Sequence, residues 1–345
     1  MNYLKRLLYF LIIFIGSAVQ IFGGGQNRAG TAAAPELLIP VGSRYVAMGG
    51  SNVANTVGLE SIFWNPAGVA NSQNSADVMF SYRQYIADMS MSYVAAAGNL
   101  GFGTIGVSFR DLSIGDINVT TMDQPDGNGQ IFSPTYFVLG LTYSNLLTDR
   151  ISIGVNVNLI NESWDRAKAN GFSFDFGVQY REFFSIPNLS VGIAVKNLGG
   201  SIQYGGSGLF VSANDPTSER GVTYYQVAAA EFELPSTISL GLSYVRDINE
   251  DNKVAVSGNF QNNNFSYDNY KIGAEYSYKN ILFVRGGYSY SPQSNSATPD
   301  IFQNYSAGFG INFESFTDVN IALDYAYIPV KYFDANNTFT ISMGF

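Results

Sequence analysis

Large apolar residues and small or polar residues alternate through most of this sequence, in stretches of about ten residues. In residues 170–180, NGFSFDFGVQY, every second residue from Phe172 to Tyr180 is large and apolar, and residues 318–327, DVNIALDYAY, repeat the pattern. A period of two is that of a β-strand. Strands of this length are about twice as long as typical soluble strands, but they are long enough to cross a bilayer at a tilt. The sequence therefore predicts membrane-crossing strands.

Fourteen segments with this period can be placed along the chain. They lie near 76–85, 90–98, 103–111, 135–144, 151–161, 171–181, 188–198, 236–246, 253–262, 269–278, 281–291, 304–314, 318–327 and 338–345. The connection after every second segment is short, such as NLGF and KN, and most other connections are longer. This alternation is typical of outer-membrane barrels, which have tight periplasmic turns and larger outer loops.

We therefore predict an all-β fold, a 14-stranded antiparallel transmembrane β-barrel in the outer membrane of a diderm bacterium, with both chain ends on the periplasmic side. A soluble β-sandwich is the alternative, because its strands also have one apolar and one polar face. Strand length argues against the sandwich.

The chain before the first strand divides into two parts. Residues 1–24 carry Lys5 and Arg6 ahead of an apolar run and then small residues, which is the order of a cleaved export signal. An N-terminal membrane anchor is the alternative, although the run is short for a spanning helix. We predict a signal peptide at 1–24, a hatch at 25–75 inside the barrel or at its periplasmic mouth, and the barrel itself at 76–345.

The composition excludes some kinds of chemistry. There is no Cys and no His, so disulfides, thiolate nucleophiles and histidine general bases are impossible. The formal net charge of −9 argues against a nucleic-acid partner, because affinity for phosphate comes largely from Lys and Arg. We expect no enzyme activity and no cofactor. Asp123, Asp126 and Asn128 could suggest a calcium loop, but no glutamate follows at the expected distance.

Several charged residues fall on the polar face of the predicted strands. On the lipid face each would cost several kcal/mol near the membrane midplane, so they should face the lumen. They either line a polar path or pair with each other and with the hatch, and we favour pairing. The predicted lumen charges are Asp77, Arg83, Arg110, Asp175, Lys196, Lys271, Glu275, Arg285 and Asp324.

Residues 42–70, GSRYVAMGGSNVANTVGLESIFWNPAGVA, have no strand period. Fourteen strands enclose more space than lumen side chains alone can fill. The small residues of this segment allow close backbone packing, Pro66 fixes its own φ, and Trp64 offers a large anchor. The segment is predicted to be a compact hatch.

Residues 37–70 resemble the N-terminal signature of the PorV/PorQ family, which lies within the FadL-like group of outer-membrane barrels. The resemblance rests on Gly-Ser-Arg at 42–44, Ala-Met-Gly-Gly at 47–50 and Trp-Asn-Pro-Ala-Gly at 64–68. The hatch motif residues are Arg44, Met48, Gly49, Gly50, Trp64, Asn65, Pro66, Ala67 and Gly68.

The resemblance implies a barrel with an N-terminal hatch and two candidate functions. One is an accessory of type IX secretion that associates with a large translocon, receives exported cargo and passes it to surface attachment. The alternative is a FadL-like channel that carries a hydrophobic small molecule. Besides these partners, we expect contact with outer-membrane lipid.

Two further segments bear on partners. The long connection 199–235 carries apolar side chains that either bind a partner or fold over the barrel mouth as a lid. Its candidate residues are Tyr204, Leu209, Phe210, Val211, Tyr224 and Tyr225. The chain ends TFTISMGF, and its final Phe345 resembles the C-terminal assembly signal of outer-membrane barrels.

Overall fold

The computed structural model describes residues 28–213, 222–292, 301–314 and 319–345. The predicted signal peptide at 1–24 lies outside them. Fourteen antiparallel strands form one closed barrel in which each strand pairs with its neighbours in sequence and the first pairs with the last, as predicted. The strands are β1 Ala76–Gln84, β2 Ser90–Asn99, β3 Thr104–Ser113, β4 Thr135–Leu146, β5 Ile151–Trp164, β6 Ala167–Arg181, β7 Leu189–Gly199, β8 Thr237–Asp247, β9 Asn252–Asn263, β10 Asn269–Tyr278, β11 Leu282–Tyr290, β12 Tyr305–Asn312, β13 Asn320–Ile328 and β14 Asn336–Gly344.

The two faces of the barrel wall have opposite character. Outward side chains such as Phe80, Leu141 and Ile272 are apolar and exposed, whereas inward ones such as Thr142 and Asn156 are polar and buried. This is the reverse of a soluble core, and only a lipid environment makes it favourable. Among the described residues, no helix is long and apolar enough to cross a membrane.

One bulge interrupts the wall, between β6 and β7. The register shifts between Phe174 and Phe176, and Asn197 takes a left-handed conformation with φ 58°. Asp175 accepts a hydrogen bond from the Asn197 backbone N at 2.7 Å, which satisfies a donor that the bulge frees from the ladder. Because of the extra residue, Lys196 and Asn197 both point inward.

Short helices, 3₁₀ turns and small ribbons complete the described chain without being part of the barrel wall. Helices α1 (Ser43–Ala47) and α2 (Ser61–Trp64) precede β1. The described 3₁₀ turns are Pro35–Leu38, Pro66–Asn71, Phe183–Ser185 and Ser207–Leu209. At the end of the long loops, three two-stranded ribbons form: Ile117–Asn118 with Ile131–Phe132, Ile202–Gln203 with Glu231–Phe232, and Phe210–Ala213 with Thr223–Gln226.

The two ends of the described chain lie at opposite ends of the barrel. Phe345 pairs with Ala76 at the short-turn end, as expected for the periplasmic side. Ala33, however, bonds to the Glu233 backbone, and Arg28 lies 4.1 Å from the Phe265 ring centroid, both in connections at the opposite, outer end. The described part of the plug therefore begins near the outer loops, because residues 28–38 run up through the lumen. The expected periplasmic N-terminal end falls within residues 1–27, outside the described residues.

Candidate functional site: the filled lumen

Residues 28–75, here called the plug, lie inside the ring of strands. From residue 43 onward the plug follows the inner wall around most of its circumference, contacting the strands in descending order. Ser43 N donates to Thr340 Oγ1 of β14 (2.9 Å), and Ser306 Oγ of β12 donates to Ala47 O (2.9 Å). Further along the plug, Ser51 Oγ bonds to Ser257 Oγ of β9 (2.6 Å). Asn65 Nδ2 then donates to Val178 O of β6 (3.2 Å), and Ser144 Oγ of β4 donates to Ala67 O (3.1 Å).

A series of inward glycines lets the plug backbone approach the wall. A Cβ at Gly287 would lie 2.2 Å from Gly49 N, and one at Gly154 would lie 2.3 Å from the carbonyl carbon of Pro66. Any larger residue would therefore collide with plug backbone. We call this set the glycine belt: Gly154, Gly177, Gly192, Gly241, Gly273, Gly287 and Gly308. The signal available in the sequence was glycine recurring on the polar face of the strands.

The Trp-Asn-Pro-Ala-Gly motif is the most densely bonded part of the plug. Asn65 is fully buried, donates from Nδ2 to Val53 O at 2.8 Å, and accepts from Ala67 N at 3.2 Å. Trp64 donates from Nε1 to Val41 O at 3.1 Å, and its ring lies against Gly50.

The other motif residues also pack tightly. Gly68 lies against Thr56, with no room for a side chain, and Pro66 lies between two glycines of the belt. Met48, beside Gly49, is buried against the wall. The motif residues therefore contact each other and the wall, and they fix the path of the plug.

Arg44, whose side chain is 37% exposed, connects the plug to buried charges of the wall. It donates to both carboxylate oxygens of Glu275, at 2.7 and 3.0 Å. Arg285 also donates to Glu275, at 2.5 Å, and to Asp324. Two guanidinium groups thus alternate with two carboxylates. Such a network is strongly destabilised when one member is removed, because a charge is left buried without its partner.

The other two predicted lumen acids are also partnered. Asp77 accepts from Ser72 and Asn74 of the plug, each at 2.6 Å. Asp175 accepts from Asn156 and Asn158 in addition to the bulge. The remaining predicted lumen residues are cations, and within the described chain none of them forms a salt bridge: Arg83, Arg110, Lys196 and Lys271. The lumen acids are therefore neutralised or hydrogen-bonded, whereas within the described chain these four cations have no carboxylate at salt-bridge distance.

The plug separates two cavities. A cavity of about 450 Å³ lies at the short-turn end and is lined by both signs of charge, including Arg44, Glu60 and Asp77. A second cavity of about 480 Å³, here called the outer cavity, lies on the long-loop side of Trp64. Among the described residues, its lining contains cations but no Asp or Glu.

Two buried carboxyl groups of the plug have raised pKa values. Burial, together with the nearby charge of Glu162, raises the pKa of Glu36 to about 8, and Arg110 opposes this. Burial and the charge of Asp324 raise the pKa of Glu60 to about 7, although Glu60 accepts hydrogen bonds from the backbone N atoms of two plug residues. Both plug carboxyls can therefore take up protons in the range where ordinary carboxyls are ionised.

The predicted partner loop divides into an anchored part and an exposed part. Tyr204 is half-buried and donates to Glu162, and Ile202 nearby packs into the core beneath the loop, so this part fits the lid alternative. Leu209 is also partly buried. In contrast, the ribbon residues Phe210, Val211, Tyr224 and Tyr225 are 51%, 52%, 71% and 48% exposed.

The calcium loop considered for Asp123, Asp126 and Asn128 is not supported by a cluster of acidic side chains. Within the described ranges, no group of three or more His, Cys, Asp or Glu side chains is placed to hold a metal ion.

Comparison with known proteins gives a family match and a fold match. The sequence model described as "Type IX secretion system protein PorV" matches residues 23–267. No curated protein sequence matches significantly.

Solved structures with this fold include outer-membrane channels. The toluene transporter TbuX of Ralstonia pickettii is 14% identical, with 88% of this chain and 98% of that chain covered and a TM-score of 0.55. The monoaromatic hydrocarbon channel CymD is 16% identical (89% and 97% covered, TM-score 0.53). A FadL homologue of Pseudomonas aeruginosa is 12% identical (88% and 98% covered, TM-score 0.53). At these identities the similarity supports the fold alone.

Proposed function

Because the chain belongs to the PorV family of type IX secretion system proteins, we propose that this outer-membrane barrel is a non-catalytic accessory of protein export. In this proposal it receives exported cargo at the outer face, beside a large translocon, and passes the cargo on to surface attachment.

The exposed ribbon Phe210–Ala213 with Thr223–Gln226 is the observation that carries the proposal. Seven of its eight residues are exposed, all but Thr223, and aromatic side chains project from both strands. A two-stranded ribbon of this kind is only marginally stable alone, and its open edges can pair with a strand of another chain. Exposed aromatic side chains are also the residues that most often dominate binding at protein interfaces.

The base of the ribbon is held firmly, as a docking surface requires. Lys168 and Gly205 exchange backbone hydrogen bonds of 2.8 and 2.9 Å, and Gly208 N donates to Arg166 O. The ribbon is thus fixed to the β5–β6 hairpin, so cargo bound to it would be held at a defined position.

A channel for a hydrophobic small molecule is the second candidate. The outer cavity supports it, because apolar residues such as Leu38, Trp64 and Phe302 line part of that cavity. The plug weighs against it, since solute would have to pass a segment bonded to the wall around most of its circumference.

The test uses the double variant Phe210→Ser/Tyr224→Ser in the native strain. If the ribbon receives cargo, we expect surface-attached cargo to fall at least tenfold, while the amount of folded barrel is unchanged. Tyr332→Ser is the matched control, because Tyr332 is 66% exposed on a different outer loop. The readout is cargo at the cell surface, together with proteins and lipids recovered with the tagged barrel from gently solubilised membrane.

Normal export by the double variant would contradict the proposal. Recovery of the barrel with a stoichiometric hydrophobic ligand, and without translocon or cargo, would support the channel.

A further inference from the structure

Two buried carboxyl groups meet where the plug reaches the outer loops. Glu36, in the 3₁₀ turn Pro35–Leu38 of the plug, is 2% exposed, and Glu162 of β5 is 1% exposed. The two side chains lie within hydrogen-bonding reach of each other. Both carboxyl oxygens of Glu36, and Oε1 of Glu162, are buried without a hydrogen-bond partner in the described part of the chain. Two ionised carboxylates cannot bond to each other, because neither carries a donor.

A single proton resolves this arrangement. Protonated Glu36 can donate to Glu162 Oε1, so one hydrogen atom satisfies an oxygen on each side. Burial and the charge of Glu162 raise the pKa of Glu36 to about 8, so Glu36 carries this proton at neutral pH. The other oxygen of Glu162 accepts from the hydroxyl of Tyr204, in the connection 199–235, here called the ribbon loop. The plug, the wall and the ribbon loop are then joined through one carboxylate.

Apolar packing joins the same three parts of the molecule. Leu37 of the plug lies in one buried cluster with Ile160 of the wall and Ile202 of the ribbon loop. The backbone N of Ala33 also donates to the ribbon loop, at 2.9 Å. Residues 28–38, here called the plug end, are therefore packed against the base of the ribbon loop, with the carboxyl pair beside this contact.

Arg110 offers ionised Glu36 a second partner. It is buried on β3, its charge opposes the rise in the pKa of Glu36, and no salt bridge joins the two within the described ranges. Its Nη1 is a buried donor without a partner among the described residues. Arg110 pairs in register with Val138 of β4, whereas Glu162 pairs with Tyr136, two residues closer to the outer end. Ionised Glu36 is thus repelled by Glu162 and attracted to an unpartnered donor deeper in the lumen.

We propose that Glu36 is a proton-operated latch for the ribbon loop. With its proton, Glu36 bonds to Glu162 and keeps the plug end against the ribbon loop. After the proton passes to water, Glu36 pairs with Arg110, the plug end moves inward and the ribbon loop loosens. The consequence for export rests on the proposed function, because the latch would set the position of the docking ribbon. The plug from residue 43 onward stays bonded to the wall in both states.

The titratable groups that face Glu36 come from four elements. Glu162 of β5 and Arg110 of β3 are charged, and Tyr136 of β4 and Tyr204 of the ribbon loop contribute hydroxyls. The two charged groups act on the proton of Glu36 in opposite senses. Removing the charge of Glu162 should therefore suppress release of the latch, whereas removing that of Arg110 should delay release to higher pH.

The test measures distances between spin labels in the full-length protein without cargo. The chain has no Cys, so labels attach only where Cys is introduced. Ala29→Cys with Ser113→Cys reports the plug end against the outer end of β3, and Ser212→Cys with Ser113→Cys reports the ribbon; all three positions are exposed. Samples are held in phosphatidylcholine nanodiscs from pH 6 to pH 10.

Both label pairs should give a narrow distance distribution at pH 6 that broadens about twofold by pH 10, with a midpoint near pH 8. Glu36→Gln should stay narrow throughout, because its amide donates to Glu162 at every pH. Glu162→Gln should also stay narrow, since ionised Glu36 then accepts from the new amide. Arg110→Gln should raise the midpoint by about one pH unit.

Glu233→Gln is the matched control, because it removes a partly exposed carboxylate from the ribbon loop, and it should keep the wild-type midpoint. A variant that merely loses packing would already be broad at pH 6, which separates that effect from release of the latch.

Four results would overturn the inference. They are a wild-type distribution that stays narrow at pH 10, a Glu36→Gln variant that broadens as the wild type does, a midpoint that Arg110→Gln leaves unchanged or lowers, and a ribbon pair that stays fixed while the plug end moves. The export test of the ribbon uses other residues in the native strain, so failure of the latch and failure of the proposed function are told apart.

Discussion

Single residues at the inner wall decide whether the plug fits. Gly286 and Gly287 are adjacent on β11 but face opposite sides, and only Gly287 contacts the plug. Gly287→Ala should destabilise the folded protein by about 1–3 kcal/mol, because the new methyl group collides with backbone rather than with a mobile side chain. Gly286→Ala, whose Cβ would have 3.9 Å of clearance, should be near neutral. Thermal unfolding of both variants in one detergent measures the difference, and equal effects would contradict the close packing.

Protonation of Glu36 should make stability depend on pH. Its pKa is about 8 in the folded protein and near 4.5 when exposed, so the folded state binds the proton more tightly. The stability that this provides is complete below about pH 4.5 and is lost as the pH rises through about 8. The unfolding temperature should therefore fall between pH 5 and pH 9.

Glu36→Gln should flatten most of this pH dependence and should be more stable than the wild type at pH 9. A smaller slope below about pH 7 should remain, because Glu60 titrates there. Glu233→Gln, which removes a partly exposed carboxylate, is the control and should keep the wild-type slope. A Glu36→Gln variant with the full slope would show that another group is responsible.

At the level of single elements, the end of the closing strand carries Phe345, the predicted assembly signal. Backbone atoms of Phe345 pair with Ser75 and Ala76, but its side chain is 61% exposed. Phe345→Ala should therefore change the unfolding temperature of purified protein little, since the backbone bonds remain. If the residue is an assembly signal, the amount of folded barrel in cells should nevertheless fall several-fold. Phe339→Ala, on the same outward face of β14, is the comparison, and an equal loss of barrel would contradict a special role for the last residue.

The strands could be predicted from sequence because lipid and lumen impose a strict period of two. Predicted and observed bounds agree closely for β1 and β10, whereas β5 and β6 extend further, to Trp164 and from Ala167. Residues 161–170, NESWDRAKAN, are mostly polar or small and carry one large apolar residue, so they give no clear period, although they continue the hairpin. The bulge at Asn197 could not be predicted either, because it depends on a partner strand.

The path of the plug along the wall could not be predicted from the sequence, for a different reason. The small residues and the motif predicted a compact segment, and the predicted lumen charges could be assigned to the polar face of their strands. The ion pair of Arg44 joins it to Glu275, 231 positions away, and the glycine belt is complementary to a backbone path that no local pattern encodes. Which lumen charges pair and which do not therefore became visible only in the fold.

On the scale of the whole molecule, the plug is bonded to the wall from β14 round to β4, which predicts that it stays in place during function. Ser51 and Ser257 have Oγ atoms 2.6 Å apart, so Ser51→Cys/Ser257→Cys should form a disulfide between plug and wall, and the chain has no other Cys to interfere. If the outer ribbon receives cargo while the plug only seals the lumen, the oxidised double variant should export cargo at the wild-type level. The two single-cysteine variants control for the substitutions. Export that is lost on oxidation and restored by a reductant would show instead that the plug must move.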